Sequence, residues 1–132
     1  NNTSIVEVDF RGNGFDADGL FALVQAFKSM PKLRKINLRG NHCRNEGMVA
    51  LGKWLATNTT VTHLNLNENN LGDEGATAVA EALKTNRTLK FLDIGLNYIT
   101  NEGAKAVAAA LGANTTLATL TMSGNDISDK DL

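Results

Sequence analysis

The sequence is poor in cysteine, proline and aromatic residues, and it has no long apolar run. Its 132 residues include one cysteine and one proline, and 5% are aromatic. A lone Cys43 cannot form an intrachain disulfide, which argues against a disulfide-stabilised extracellular scaffold. No stretch approaches the roughly 20 apolar residues of a membrane span, and the N-terminus carries no basic-then-apolar signal sequence. We therefore expect a cytoplasmic protein without a membrane partner.

The charge of the chain is nearly balanced but unevenly distributed. A formal net charge of −1 gives no electrostatic reason to expect nucleic acid as a partner. Residues 1–44 carry seven Lys/Arg against four Asp/Glu (+3), whereas residues 45–132 carry six against ten (−4). With 42% hydrophobic and 20% charged residues, the composition is that of an ordinary globular protein that can bury a core.

An internal repeat with a period of 28 residues runs through the chain. Five segments align without insertion or deletion: "IVEVDFRGNGF" (5–15), "LRKINLRGNHC" (33–43), "VTHLNLNENNL" (61–71), "LKFLDIGLNYI" (89–99) and "LATLTMSGNDI" (117–127). Apolar residues recur at the first, fourth and sixth positions. An asparagine follows eight residues after each start, at Asn13, Asn41, Asn69, Asn97 and Asn125. Fixed self-similarity at such a period indicates a solenoid.

The second half of each copy is periodic in a different way. Segments such as "EGATAVAEALKT" (74–85) place apolar residues at helical spacing. A module is therefore a short strand, a turn, a helix and a return loop, which makes consecutive strands parallel with right-handed crossovers. Strands pack about 4.8 Å apart and helices roughly 8–10 Å apart, so stacked modules have to curve. We expect a horseshoe with the sheet on the concave face and the helices on the convex face.

The frame L-x-x-L-x-L-x-x-N-x-L, followed by G-x-x-x-L-A-x-A-L, closely resembles leucine-rich repeats of the ribonuclease-inhibitor-like class. Such repeats also occur in NACHT-type receptor C-terminal regions and in Ran GTPase-activating proteins. The resemblance covers the whole chain and implies an α/β fold, a right-handed leucine-rich-repeat solenoid. We expect one domain over residues 1–132, of about four and a half to five repeats. Both ends fall inside a module, so we expect a fragment of a longer repeat protein.

Two motifs imitate ligand sites without completing them. "RGNGFDA" (11–17) matches a dinucleotide-binding fingerprint, but no acidic residue follows at the required distance of about 20 residues. "NLNENN" (65–70) imitates the start of a calcium loop, but Ala76 stands where the bidentate glutamate belongs. We expect no cofactor, and a small-molecule ligand is not indicated.

The neighbours His42 and Cys43 could suggest nucleophilic catalysis. Cys43, however, occupies the apolar column of the repeat, so we expect it to be buried while His42 points away. His63 lies a full module from His42 and no third ligand accompanies them, which does not make a zinc site. We therefore expect no metal and no catalytic residue.

Two further features leave alternatives open. Asn58, Asn86 and Asn114 begin N-x-[ST] sequons where helices end. Either they adopt the left-handed conformation that ends a helix, or they carry glycans. Trp54 replaces the alanine of other repeats. It either fills space beside Gly52 or anchors a partner on the outer face.

Because side chains alternate along a strand, three columns face the concave surface. These residues vary in charge and shape from copy to copy, which is typical of a binding surface. Phe91 is the one phenylalanine among otherwise mostly polar side chains, and Leu96 and Tyr98 follow on the adjoining loop. The columns are Glu7, Lys35, His63, Phe91, Thr119; Asp9, Asn37, Asn65, Asp93, Thr121; and Arg11, Arg39, Asn67, Gly95, Ser123. The asparagine column at positions 13, 41, 69, 97 and 125 is interpreted as structural, bonding to turn backbone between modules.

These observations favour a non-catalytic module that binds a partner protein on its concave face, in a sensor, scaffold or regulatory role. Exposed Phe91 would be the anchor, and Arg11, Lys35 and Arg39 would form a basic end of the same face. Two alternatives are GTPase activation of the Ran-activator type, for which no active residue can be placed, and a secreted glycosylated recognition protein.

Overall fold

A computed structural model of the chain describes residues 2–128, in which five short strands alternate with four helices. The strands have three residues each and the helices 11 to 14. In chain order the elements are β1 (Glu7–Asp9), α1 (Ala17–Phe27), β2 (Lys35–Asn37), α2 (Arg44–Thr57), β3 (His63–Asn65), α3 (Gly72–Thr85), β4 (Phe91–Asp93), α4 (Asn101–Ala113) and β5 (Thr119–Thr121).

The five strands form one parallel sheet in sequence order, β1-β2-β3-β4-β5. Every residue of β1 to β4 pairs with the residue 28 positions later in the next strand, as in Glu7 with Lys35 and His63 with Phe91. The repeat period therefore sets the register of the whole sheet. The predicted α/β solenoid is confirmed, with the sheet on the concave face and the helices on the convex face.

The core lies between the sheet and the helices. The central residue of each strand points inward, and Ile36, Leu64 and Leu92 are buried. Small residues set the distance between helices: a Cβ added to Gly52 would lie 2.9 Å from the carbonyl oxygen of Ala78 in α3. The helices thus approach closely where a larger side chain would collide with backbone.

Of the two alternatives for Trp54, the structure favours a side chain that fills space in the core. The centroid of its ring lies 5.5 Å from that of the Phe27 ring of α1. The side chain is only 8% exposed, so it belongs to the core and offers little surface to a partner.

The asparagine column after the strands forms a hydrogen-bonded ladder between repeats. Asn41, Asn69 and Asn97 are at most 1% exposed. Asn69 is typical: its Nδ2 donates to the carbonyls of Leu38, one repeat earlier, at 2.9 Å and of Leu66, in its own repeat, at 3.1 Å. Its backbone N–H donates to the Oδ1 of Asn97, one repeat later, at 2.7 Å. Each amide therefore satisfies buried backbone groups in two adjacent repeats.

A second ladder lies before the strands, and it corrects the prediction of left-handed helix ends. Asn58, Asn86 and Asn114 have extended backbones with φ of −70°, −66° and −106°. The helix ends are satisfied by side-chain bonds instead. Asn86 Oδ1 accepts from the N–H of Leu89 at 2.8 Å, and its Nδ2 donates to the carbonyl of Leu55, one repeat earlier, at 2.8 Å.

Asp73 links two helices in a similar way. Its carboxylate accepts from the hydroxyl of Thr100 at 2.6 Å, from the N–H of Thr100 at 2.7 Å and from the N–H of Gly103 at 3.0 Å. Desolvation raises the pKa of Asp73, but these hydrogen bonds outweigh that effect and the net pKa lies below its ordinary value. A residue at the start of α3 thus caps α4.

We predict that Asn69→Ala lowers the free energy of unfolding by about 2–3 kcal/mol, because the carbonyls of Leu38 and Leu66 lose a buried donor. Asn13→Ala is the matched control, since Asn13 occupies the same column but is exposed. Its loss should stay below about 1 kcal/mol. Urea unfolding at pH 7 measures both, and equal losses would contradict the role of the buried ladder.

We predict that Asp73→Ala destabilises the protein at pH 7 and that the difference from wild type fades in acid. Because the pKa of Asp73 is lowered on folding, its stabilisation is present above the ordinary value of about 4 and is lost as the pH falls through the folded-state value. Asp18→Ala, in the first turn of α1, controls for a generic helix-terminal charge. A pH-independent difference for Asp73→Ala, measured by urea unfolding between pH 7 and pH 3, would contradict this account.

Candidate functional site

The first column of the strand face carries the side chains most available to a partner. Glu7, Lys35 and His63 are exposed, and Phe91 is half-buried. The Phe91 ring stacks on the His63 ring with centroids 5.8 Å apart and an interplanar angle of 22°. This pair forms a flat aromatic patch at the centre of an otherwise polar face.

The second column has a local structural role that the sequence reasoning missed. Asp9, Asn37, Asn65 and Asp93 each accept a hydrogen bond from the N–H of the residue two positions later, at 3.2, 3.1, 3.0 and 2.9 Å. Short side chains with an acceptor oxygen are suited to this bond. The restriction to Asp or Asn in four of five copies was the available signal. The expectation that this column varies as a binding surface does not account for that restriction.

The third column is only partly open. Arg39 is exposed, and Arg11 is exposed and pairs with Asp9 at 3.0 Å. Asn67 was predicted as a partner contact, but it is only 9% exposed and its Nδ2 donates to Asp93 at 3.2 Å. The absence of a side chain at Gly95 explains this, because a Cβ there would lie 2.8 Å from that same Nδ2. The Asn67 side chain occupies the space that a Gly95 side chain would take, which leaves little of it exposed to a partner.

The loops that follow β2–β5 enclose a cleft of about 390 Å³ at the rim of the sheet. We call it the rim cleft, and its side chains come from His42, Glu68, Asn70, Leu96, Tyr98 and Asp126. Leu96 and Tyr98 are 44% and 66% exposed, and both have left-handed backbones with φ of 54° and 60°. Tyr98, expected on the loop that adjoins the strand face, lies on this rim.

His42 and Cys43 do not form a catalytic pair. Cys43 is fully buried, as its apolar column predicts, whereas His42 is exposed and its Nδ1 lies 3.4 Å from the Nδ2 of Asn70. Burial, together with the negative charge of Asp16, raises the pKa of the Cys43 thiol to about 12. The thiolate form that a nucleophile needs is therefore absent near neutral pH.

Within residues 2–128, no three His, Cys, Asp or Glu side chains are grouped so that they could hold a metal ion. In the same part of the chain, no helix has both the length and the apolar character that crossing a membrane requires.

Comparison with known proteins identifies the repeat. The family model described as Leucine Rich repeat matches residues 1–24, 29–52, 57–80, 85–108 and 113–132. No curated protein sequence gives a significant match. Among solved structures, the chain is similar to one titled "Leiomodin-1 Actin-Binding Site 2 (ABS2)", with a TM-score of 0.79 and 23% identity over 94% of this chain and 72% of that one. At this identity the likeness concerns the fold.

We predict that iodoacetamide does not modify Cys43 in the folded protein at pH 7–8, because the thiol is buried and its pKa is about 12. Labelling should follow the unfolding transition as urea is added, and it should reach one group per chain because Cys43 is the only cysteine. Mass spectrometry after timed quenching measures this. Complete labelling without urea, at the rate of the fully unfolded chain, would contradict the burial.

Proposed function

Because the chain belongs to the leucine-rich repeat family, we propose that it is a non-catalytic module that binds a partner protein on the concave face of its sheet. The observation that carries this proposal is the Phe91–His63 stack. It is a flat aromatic surface surrounded by polar side chains, an arrangement typical of the centre of a protein–protein interface.

The charges around the stack support a protein partner with acidic side chains. Lys35 is exposed on β2, where it pairs with His63 of the aromatic patch, and Arg11 and Arg39 are exposed on the loops that follow β1 and β2. Arg11 already pairs with Asp9, whereas no ion pair engages Lys35 or Arg39 among the residues described. These two charges are free to steer and orient a partner.

The structural neighbour suggests a first partner to test. Its title assigns an actin-binding site to a protein with the same fold. We propose actin only as the first candidate, because 23% identity carries the fold and not the binding residues. A sensor, scaffold or regulatory role follows from binding without chemistry.

The finer class and the compartment are also proposals. A 28-residue period with helices of 11 to 14 residues supports the ribonuclease-inhibitor-like class. We further propose that residues 1–132 act as one domain in the cytoplasm. The engaged Nδ2 groups of Asn86 and Asn114 support this over a secreted glycoprotein, because each donates to two carbonyls and a glycan would replace one of the two hydrogens.

We predict that Phe91→Ala weakens partner binding roughly tenfold, because it removes the ring at the centre of the patch. Arg39→Glu should also weaken it by reversing a charge that no ion pair occupies in the described residues. Thr119→Ala, in the same column but at the edge of the sheet, is the control. Affinity capture with quantitative mass spectrometry compares the four chains, and co-sedimentation with filamentous actin tests that candidate directly.

Folding of each variant is checked by urea unfolding before binding is compared. A partner set that stays the same, in identity and amount, for Phe91→Ala and Arg39→Glu would overturn the concave-face proposal. Failure to bind actin alone would remove only that candidate.

A further inference from the structure

We propose that the rim cleft is a second docking site and that it receives a partner segment in which a basic side chain, arginine or lysine, lies next to an apolar one. The inference rests on the protein-binding role proposed above. It concerns a different surface, and the partner segment is basic where that of the strand face is acidic. The side chains of the rim cleft lie on the loops after the strands, and the first evidence for the site is the backbone conformation of these loops.

The rim cleft concentrates the backbone strain of the molecule. Among the described residues, five that are not glycine have a positive φ, and four of them line the cleft: Glu68 (58°), Asn70 (56°), Leu96 (54°) and Tyr98 (60°). In the same two columns of the repeat, Gly12, Gly14, Gly40 and Gly124 adopt this conformation with φ of 64° to 73°. Glycine fits these turns without strain, whereas Leu96 and Tyr98 do not. The turn geometry therefore does not account for these two side chains.

The apolar part of the cleft is formed by Leu96 and Tyr98. The side chain of Leu96 lies directly over Gly124, where an added Cβ would collide with it. Gly40 of the same column also lines the cleft and adds no side chain to it. Tyr98, also in the lining, is 66% exposed. An exposed leucine and tyrosine in a concave site offer an apolar contact and a ring face at little cost in side-chain entropy.

The charge of the cleft determines which side chain would complement it. Glu68 and Asp126 are exposed carboxylates in the lining, and neither takes part in an ion pair within residues 2–128. His42 is the one basic side chain in the lining. A guanidinium or ammonium group could contact either carboxylate and lie against the Tyr98 ring, which is an attractive position for a cation. An acidic segment would be repelled.

The test uses the whole chain and synthetic peptides as probes. One series of twelve-residue peptides carries two arginines flanking a leucine at varied spacing, and a matched series replaces each arginine with glutamate. Tyr98 is the only tyrosine, so its ring signals in the NMR spectrum need no further assignment. We expect saturable shifts of the Tyr98 ring and of the amides of residues 68–70 and 96–98 with the arginine series alone.

Three variants connect the binding to the cleft. Tyr98→Gly should weaken the best peptide about tenfold, and Glu68→Gln about two- to fivefold. Phe91→Ala, on the strand face, should leave its affinity unchanged. Tyr98→Gly also relieves a left-handed tyrosine, so its stability to urea should equal or exceed that of wild type. Loss of binding therefore cannot be attributed to unfolding.

Two peptide results would overturn the proposal: no saturable shift with any arginine peptide, or equal binding of the glutamate series. Concentration-dependent self-association that Tyr98→Gly abolishes would also overturn it, because the occupant of the cleft would then be a second copy of the chain. The two proposals fail separately. Peptide binding that persists while Phe91→Ala leaves all captured partners unchanged overturns only the concave-face proposal. Partner capture that depends on Phe91 without any peptide binding overturns only the rim cleft.

Discussion

The structure depends on hydrogen bonds that asparagine side chains make to backbone groups of adjacent repeats. The strands have only three residues, so the sheet alone leaves many buried N–H and C=O groups at both strand ends. An amide has two donors and an accepting oxygen, and it can therefore satisfy its own repeat and the preceding one together. One ladder, with Asn69, lies after the strands, and the other, with Asn86, lies before them. β3, β4 and β5 each have a ladder asparagine at both ends, whereas β2 follows Met30 and has one only at its far end.

This constraint limits which polar residues are available for function. A polar side chain at the end of a three-residue strand has a backbone N–H within reach. Asn37, Asn65 and Asp93 each accept a hydrogen bond from such a group. Asn67 has a side-chain partner in Asp93 and a neighbouring glycine into which it leans. The strand face therefore has fewer free contacts than its sequence suggests, and they concentrate in the first column. Function has to be sought where a side chain is exposed and its identity has no local explanation.

The sequence was sufficient to predict the architecture because one 28-residue period determines strand pairing, helix number and the apolar columns together. It was insufficient wherever two conformations satisfy the same residue type. An asparagine at a helix end can adopt a left-handed backbone or bond through its amide, and Asn86 does the latter. The ring that Trp54 contacts, that of Phe27, lies in the preceding repeat, and the pattern does not specify this pairing. The exposure of Asn67 depended on a missing Cβ one repeat away.

A leucine or a tyrosine by itself does not indicate a positive φ, so no single residue revealed the strain at the rim. It becomes visible only when their columns are compared, since glycine holds the same positions in other repeats. The two proposed surfaces also differ in charge: the strand face has a basic end, and the rim cleft has two carboxylates. The segment proposed for each surface is opposite in charge to that surface, so the two segments differ in charge from each other. Selectivity between the two surfaces then comes from charge, because an acidic segment meets like charges at the rim cleft and a basic segment meets them at the basic end of the strand face.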